Sequence, residues 1–278
     1  MKKSKRENKS YVPRKQLIMV VGNYGSGKTE VSVNLAISLR RQGWKVQIAD
    51  LDIVNPYFRC REARMLMRSM DIRVVVPPGE QVSADLPIVL PEIAGMLSPN
   101  DGEISIFDVG GDDVGARLLS SFAKSLDKIA RLEGKNEEPP YELLQVINAR
   151  RPFTDTVEGC LSMRNAIEGS SRLQVTGLIG NTHLMDETSP QTVLEGWALT
   201  KEVSRRSGLP VAFLTVMEDL KGAGELGAVE SQIFYLKRYM LPPWLANKTE
   251  NTTDSTAENE APLPAPRSVP IGRPSGDQ

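Results

Sequence analysis

The sequence predicts an α/β fold built on a mostly parallel sheet of about seven strands, with helices on both faces. Three observations lead there. Short apolar, β-rich runs alternate along the chain with longer segments whose apolar residues recur at helical spacing. Crossovers between parallel strands are right-handed, so such alternation places helices on both sides of one sheet. The first of these units reads strand, glycine-rich turn, helix, the order in which a parallel βαβ unit begins.

The whole chain sets the limits. Its 278 residues allow one large domain or at most two small ones, and 40% hydrophobic with 25% charged residues is the composition of a soluble globular protein. A net charge of −1 gives no global reason to expect nucleic acid or a charged surface as partner. Cys60 and Cys160 form neither a CxxC pair nor a metal cluster, which fits a reducing, cytoplasmic setting. A single histidine, His183, rules out multi-histidine metal sites.

Residues 1–14 read as a disordered basic arm. Lys2, Lys3, Lys5, Arg6, Lys9, Arg14 and Lys15 face one acid, Glu7, with no apolar segment of signal-peptide length behind them. Contact with nucleic acid or an anionic membrane is the alternative. The first strand is Leu17 to Val21, and the first helix carries Val31, Leu35, Ala36 and Leu39 on one face. Lys45 to Asp50 is a second strand, ending in Asp50-Leu51-Asp52. Arg59 to Met70 reads as a helix, Arg73 to Val76 as a third strand stopped by Pro77-Pro78-Gly79, and Pro87 to Leu97 as a helix. The fourth strand, from Ile104, runs into Phe107-Asp108-Val109-Gly110-Gly111. Helix 116–132, strand 142–148 and helix 154–168 follow, then strand 173–180, ending in Asn181-Thr182-His183-Leu184. Ser189 caps a long helix to Ser207, Pro210 to Met217 is a seventh strand, and Glu230 to Leu241 is expected as a closing helix, docked or facing a membrane surface. Beyond residue 245 five prolines and many polar residues predict a disordered tail over 246–278.

The chemistry centres on Gly22 to Thr29, GNYGSGKT, which fits the phosphate-loop pattern G-x-x-x-x-G-K-[ST]. Backbone N–H groups of Asn23, Tyr24, Gly25, Ser26, Gly27 and Lys28 would curl around an anion, and the helix N-terminus adds partial positive charge. Lys28 would reach the terminal phosphates and the Thr29 hydroxyl would ligate Mg²⁺. Acids at the carboxyl ends of strands near such a loop, Asp50, Asp52 and Asp108, stand where open α/β sheets place ligand chemistry. Glycine behind Asp108 lets a backbone N–H, at Gly111, meet a γ-phosphate. Asn181 is placed to hydrogen-bond a base edge, and Leu184 stands where guanine selection would want aspartate, which favours adenine. Arg150-Arg151 would touch phosphate or a partner, or lie on the surface.

GNYGSGKT, ADLDIVNP, FDVGGDD and GNTHL, in that order and at those intervals, resemble the MinD/ParA branch of P-loop NTPases, which includes the cobyrinic acid diamide synthase ATP domains. The likeness covers Lys15 to Leu245. It implies the three-layer P-loop NTPase fold, with residues 15–245 as the nucleotide-binding domain. It also implies ATP with Mg²⁺, catalysis by Lys28 and Asp52, and metal contacts at Thr29, Asp52 and Asp108. The nucleotide would lie on residues 22–30 (Gly22 to Glu30), Gly111 and Asn181. A cytoplasmic homodimer acting on an unidentified client protein is the expected setting. The family loop reads K-G-G-x-G-K-[ST]; its first lysine, which crosses a dimer, is Asn23 here, followed by Tyr24. The expected function is an ATPase working as a nucleotide switch. Alternatives are a small-molecule kinase or ATP-dependent ligase, and a nucleotide-binding scaffold with negligible turnover.

Overall fold

The computed structural model describes residues 11–52, 64–75, 91–111, 113–132 and 138–239. Basic residues 2–9, the Ile53–Tyr57 stretch, Cys60, the Pro77-Pro78-Gly79 stop and the 246–278 tail lie outside them.

Along the chain come β1 (Leu17–Gly22), α1 (Lys28–Arg41), β2 (Lys45–Leu51), α2 (Arg64–Ser69), β3 (Arg73–Val75), α3 (Pro91–Met96) and β4 (Glu103–Val109). The second half runs α4 (Asp113–Leu132), β5 (Glu142–Ile147), α5 (Val157–Ser171), β6 (Gly177–Gly180), α6 (Pro190–Ser207), β7 (Val211–Met217) and β8 (Ile233–Leu236). The strands form one sheet in the order β3-β2-β4-β1-β5-β6-β7-β8, with every neighbouring pair parallel.

Strands buried on both faces need apolar residues at successive positions, and β1 shows how they are divided. Ile18 and Val20 pack beneath α1 with Val31, Leu35 and Leu39, while Leu17 and Met19 pack beneath α4 with Leu119, Phe122 and Leu126. Side chains alternate along a strand, so one continuous apolar run feeds two cores. Helix ends follow local chemistry. Ser189 accepts the Thr192 amide at 3.2 Å with Pro190 in the first turn of α6, and Thr156 caps α5 through the Gly159 amide at 3.1 Å.

Among the described residues the sheet has eight strands, where about seven were expected. Residues 230–241, expected as a closing helix, instead contribute β8, with Leu214 opposite Ile233 and Met217 opposite Leu236. Four apolar residues in a row, IFYL, do not separate helix from strand by periodicity, and the partners that decide are distant in sequence. Asn34 of α1 accepts the Lys237 amide and donates to its carbonyl, both at 2.9 Å, and Glu30 accepts the Tyr239 amide at 2.7 Å.

Packing also begins before the expected boundary at residue 15. Tyr11 is only 5% exposed, its ring centroid lies 4.8 Å from that of Phe213, and Phe213 in turn lies 5.0 Å from Phe234. Its hydroxyl donates to Glu142 Oε2 at 2.7 Å, while the Arg14 amide donates to Oε1 at 3.2 Å. Burial holds the Glu142 carboxyl above its ordinary range despite both donors. Tyr11→Ala should therefore cost about 2 to 4 kcal/mol in urea unfolding, through lost ring burial and a buried carboxyl deprived of one donor. A change below about 0.5 kcal/mol would place Tyr11 outside the folded unit.

Candidate functional site

The glycine-rich sequence forms the turn from β1 into α1. Gly22 ends the strand at φ 147°, where a Cβ would lie 2.7 Å from the Val146 carbonyl oxygen. Gly27 precedes α1 at φ 87°, where a Cβ would lie 2.3 Å from Asn181 Nδ2. Both places demand glycine, for conformation and for space.

Donors outside the turn hold its carbonyl groups. Asn181 Nδ2 donates to the Ser26 carbonyl at 2.6 Å, Arg151 Nε to that of Gly25 at 2.9 Å, and Lys28 Nζ reaches back to that of Asn23 at 3.1 Å. A trans peptide points its N–H opposite its C=O, so the bond from Asn181 turns the Gly27 N–H away from that side chain. Asn181 is itself fixed: the Thr215 hydroxyl lies 2.5 Å from its Oδ1 and 3.1 Å from the Gly180 carbonyl. The loop is thus shaped before any anion arrives, which lowers the ordering cost of binding.

Beside the loop stand the acids. β2 and β4 run side by side with Asp50 opposite Asp108, and both carboxyl groups are buried. Asp50 Oδ1 accepts the Asp52 amide at 3.1 Å, fixing the turn out of β2. Asp108 Oδ1 accepts the Ser32 hydroxyl at 3.4 Å, and its Oδ2 has no partner among the described residues. Burial first, then Asp50, pushes the Asp108 carboxyl up to about 7, against the weaker pull of the Thr29 hydroxyl and Lys28.

An oxygen donor set of this kind fits a small hard cation. Among the described residues no three His, Cys, Asp or Glu side chains converge to hold a metal unaided. Mg²⁺ does not need them, since it takes one or two protein oxygens and completes its octahedron from phosphate and water.

A cavity of about 740 Å³ opens over the loop, within the usual range for small-molecule sites. Tyr24, Gly25, Gly27, Lys28, Thr29 and Glu30 line it from the loop side, Asp52 and Asn181 from flanking strand ends. Met217, Leu220 and Leu236 add apolar wall at the ends of β7 and β8. The eight lining residues from the loop and the flanking strand ends are all sequence-selected, whereas Gly22, Asn23, Ser26, Asp108 and Gly111 are not in the lining. Asn23 is turned aside: its Nδ2 donates to the Pro152 carbonyl at 2.8 Å and its Oδ1 accepts the Tyr24 amide at 2.8 Å. A Cβ on Gly111 would lie 2.7 Å from the Gly22 carbonyl oxygen, so this glycine admits the loop after β4 against the phosphate loop. Glu30 spends its carboxylate on the Tyr239 amide and on Asn34 Nδ2. Asn181 grips the loop with the amide expected to read a base.

Sequence reasoning assigned no role to His183, which lines the cavity, and left Arg151 among several alternatives. Burial, then Arg151 and Arg238, pulls the His183 imidazole down to about 4, so it is neutral at pH 7. Arg238 reaches the cavity only because β8 exists, and no sequence pattern signalled that.

A family model described as the CobQ/CobB/MinD/ParA nucleotide binding domain matches residues 17–261. Among solved structures, the cell division protein FtsY of Thermotoga maritima is similar at TM-score 0.51 and 22% identity, over 76% of this chain and 65% of that one. FtsY of Mycoplasma mycoides gives TM-score 0.46 and 20% identity, over 74% of this chain and 61% of that one. The first likeness concerns the fold alone, and this chain spans less than two thirds of either protein. No curated protein sequence matches the chain significantly.

Two outcomes follow from the geometry. Asn181→Ala should cost about 1 to 3 kcal/mol in urea unfolding, since the Thr215 hydroxyl and the Ser26 carbonyl lose their partner; no change would show that the amide does not hold the loop. In ligand-free protein Asp108 binds its proton more tightly folded than unfolded, so its contribution to stability is present at low pH and is lost as pH rises towards about 7. His183, lowered, gives the opposite slope between about 4 and its ordinary value. Urea midpoints of wild type minus Asp108→Asn isolate the aspartate: the difference should fall between pH 4 and 7, and a flat difference would refute the shift.

Proposed function

The chain belongs to the CobQ/CobB/MinD/ParA nucleotide-binding domain family of P-loop NTPases, and from that premise we propose that it is a Mg²⁺-dependent ATPase working as a nucleotide switch. The observation that carries this is the buried Asp108, with one oxygen unpartnered among the described residues, beside Thr29 and Lys28 beneath the cavity. A carboxylate so placed costs stability unless a cation joins it. The Thr29 hydroxyl would hold Mg²⁺ directly and Asp108 through its water shell, and the ion supplies neutralising charge to the β- and γ-phosphates.

The chain's own residues do the rest. Lys28 Nζ exchanges the Asn23 carbonyl for phosphate oxygens, a stronger, charge-assisted bond. Asp52, half buried at the cavity edge, orients the attacking water, and Asp50 holds its backbone in place. Asn181 keeps the loop open for the polyphosphate. Leu184, in the position that would read guanine through a carboxylate, supports ATP over GTP. Nucleotide binding and hydrolysis would alternate two states of the protein, which acts on a client protein, in the cytoplasm and as a homodimer.

A second reading, a nucleotide-binding scaffold with little turnover, is favoured by one observation. Asn23 stands where the family carries its cross-dimer lysine, and both ends of its amide are used within the chain.

Lys28→Ala should abolish measurable Mg·ATP binding in calorimetry. Asp52→Ala should bind ATP within about threefold of wild type yet lose at least about 100-fold in single-turnover hydrolysis. Normal hydrolysis by the Asp52 variant would remove that residue from the mechanism; ATP binding without any wild-type turnover would favour the scaffold.

A further inference from the structure

We propose that Arg151 is a catalytic arginine supplied from within the chain, its guanidinium countering charge on the terminal phosphoryl group of bound nucleoside triphosphate as that group passes to water. The proposal rests on the ATP-hydrolysing reading above and adds a further cation to Lys28 and Mg²⁺.

Arg151 lies in a turn built to point it at the phosphate loop. β5 ends at Ile147, and Asn148 then organises the bend: its Oδ1 accepts the Arg150 amide at 2.9 Å, and its carbonyl accepts the Arg151 amide at 3.1 Å and the Thr154 hydroxyl at 2.9 Å. Two bonds tie this bend to the loop: Asn23 Nδ2 to the Pro152 carbonyl and Arg151 Nε to the Gly25 carbonyl. The guanidinium lies over Gly25, where a Cβ would approach Nε to 3.3 Å and Cζ to 3.5 Å. It also lines the cavity.

Its charge is uncompensated among the described residues. Arg150 pairs with Glu195, Arg206 with Glu158 and Arg238 with Asp186, while no acid pairs with Arg151 and only its Nε makes a hydrogen bond. Both terminal nitrogens are therefore available, in the fork geometry that matches two phosphoryl oxygens. A half-buried cation without an acid suits an arriving anion. The charge is felt inside the cavity, since Arg151, more than Arg238, adds to burial in lowering the His183 imidazole.

In hydrolysis the water oxygen bonds to the γ-phosphorus and the bond from that phosphorus to the β–γ bridging oxygen breaks. The bridging oxygen keeps the electron pair and leaves on ADP, and a water proton passes to solvent. In the loose transition state between these events, charge is spread over the three equatorial oxygens and grows on the departing bridging oxygen, and a fixed guanidinium there is worth about 10³ to 10⁵ in rate. The cation comes from the same chain as the phosphate loop.

The test is calorimetry of the full chain with Mg·ADP alone and with Mg·ADP plus aluminium fluoride, which imitates the phosphoryl group in flight. Arg151→Gln should bind Mg·ADP within about threefold of wild type but lose at least about 100-fold in affinity for the fluoride complex, with Arg151→Lys intermediate. Equal weakening of both complexes would show that Arg151 merely holds the Gly25 carbonyl, and unchanged affinity for both would show that it does nothing; either overturns the proposal. Wild type that binds no nucleotide would instead remove the ATPase reading on which the proposal rests.

Discussion

One topological constraint makes the site: β1 is flanked in the sheet by β4 and β5, strands that follow it only after two excursions of the chain. Parallel strands end on the same side, so the loops after all three must meet above β1. That meeting places Asp108 on one flank of the phosphate loop and the Asn148–Thr154 bend on the other. The crevice at such a reversal of strand order is where open α/β sheets bind ligands. The loop's glycines answer to this crowding as much as to any ligand, since side chains at residues 22, 27 and 111 would strike Val146, Asn181 and Gly22.

Two opposed electrostatic conditions then coexist within one site. Asp50 and Asp108 are adjacent buried acids whose simultaneous ionisation is costly, a disposition that raises the energy of the ligand-free state. Across the loop Arg151 carries the contrary excess. A magnesium–polyphosphate complex carries both signs of charge, so one ligand would relieve both strains at once. Stability given up in the empty state becomes differential affinity, which is what a switch needs to shift its population.

Most of this architecture was legible in the sequence because its signals are local. The loop from Gly22 to Thr29, the strand ending in Asp108 and the capped α6 each declare themselves within a dozen residues. Tyr11 and β8 did not, because what places them is distant: Tyr11 needs Glu142 and Phe213, and β8 needs β7 and the Asn34 side chain. The same holds at the site. Lys28, Thr29 and Asp108 could be named from motifs, whereas the grip of Asn181 on Ser26 and of Arg151 on Gly25 spans 155 and 126 residues. Asn181 illustrates the limit well. The sequence marked its position as functional but pointed its amide at a base, where the folded chain points it at the loop.

Function at this site requires the turn ending in Lys28 and Thr29 to wrap a polyphosphate with Mg²⁺ shared towards Asp108. The most direct measurement is calorimetric titration of the full-length chain with ATP at increasing Mg²⁺. Affinity should rise with Mg²⁺ in wild type, and Asp108→Asn should lose that rise while retaining metal-free affinity. Binding of neither ATP nor GTP at any Mg²⁺ concentration, or a magnesium response unchanged by Asp108→Asn, would contradict it.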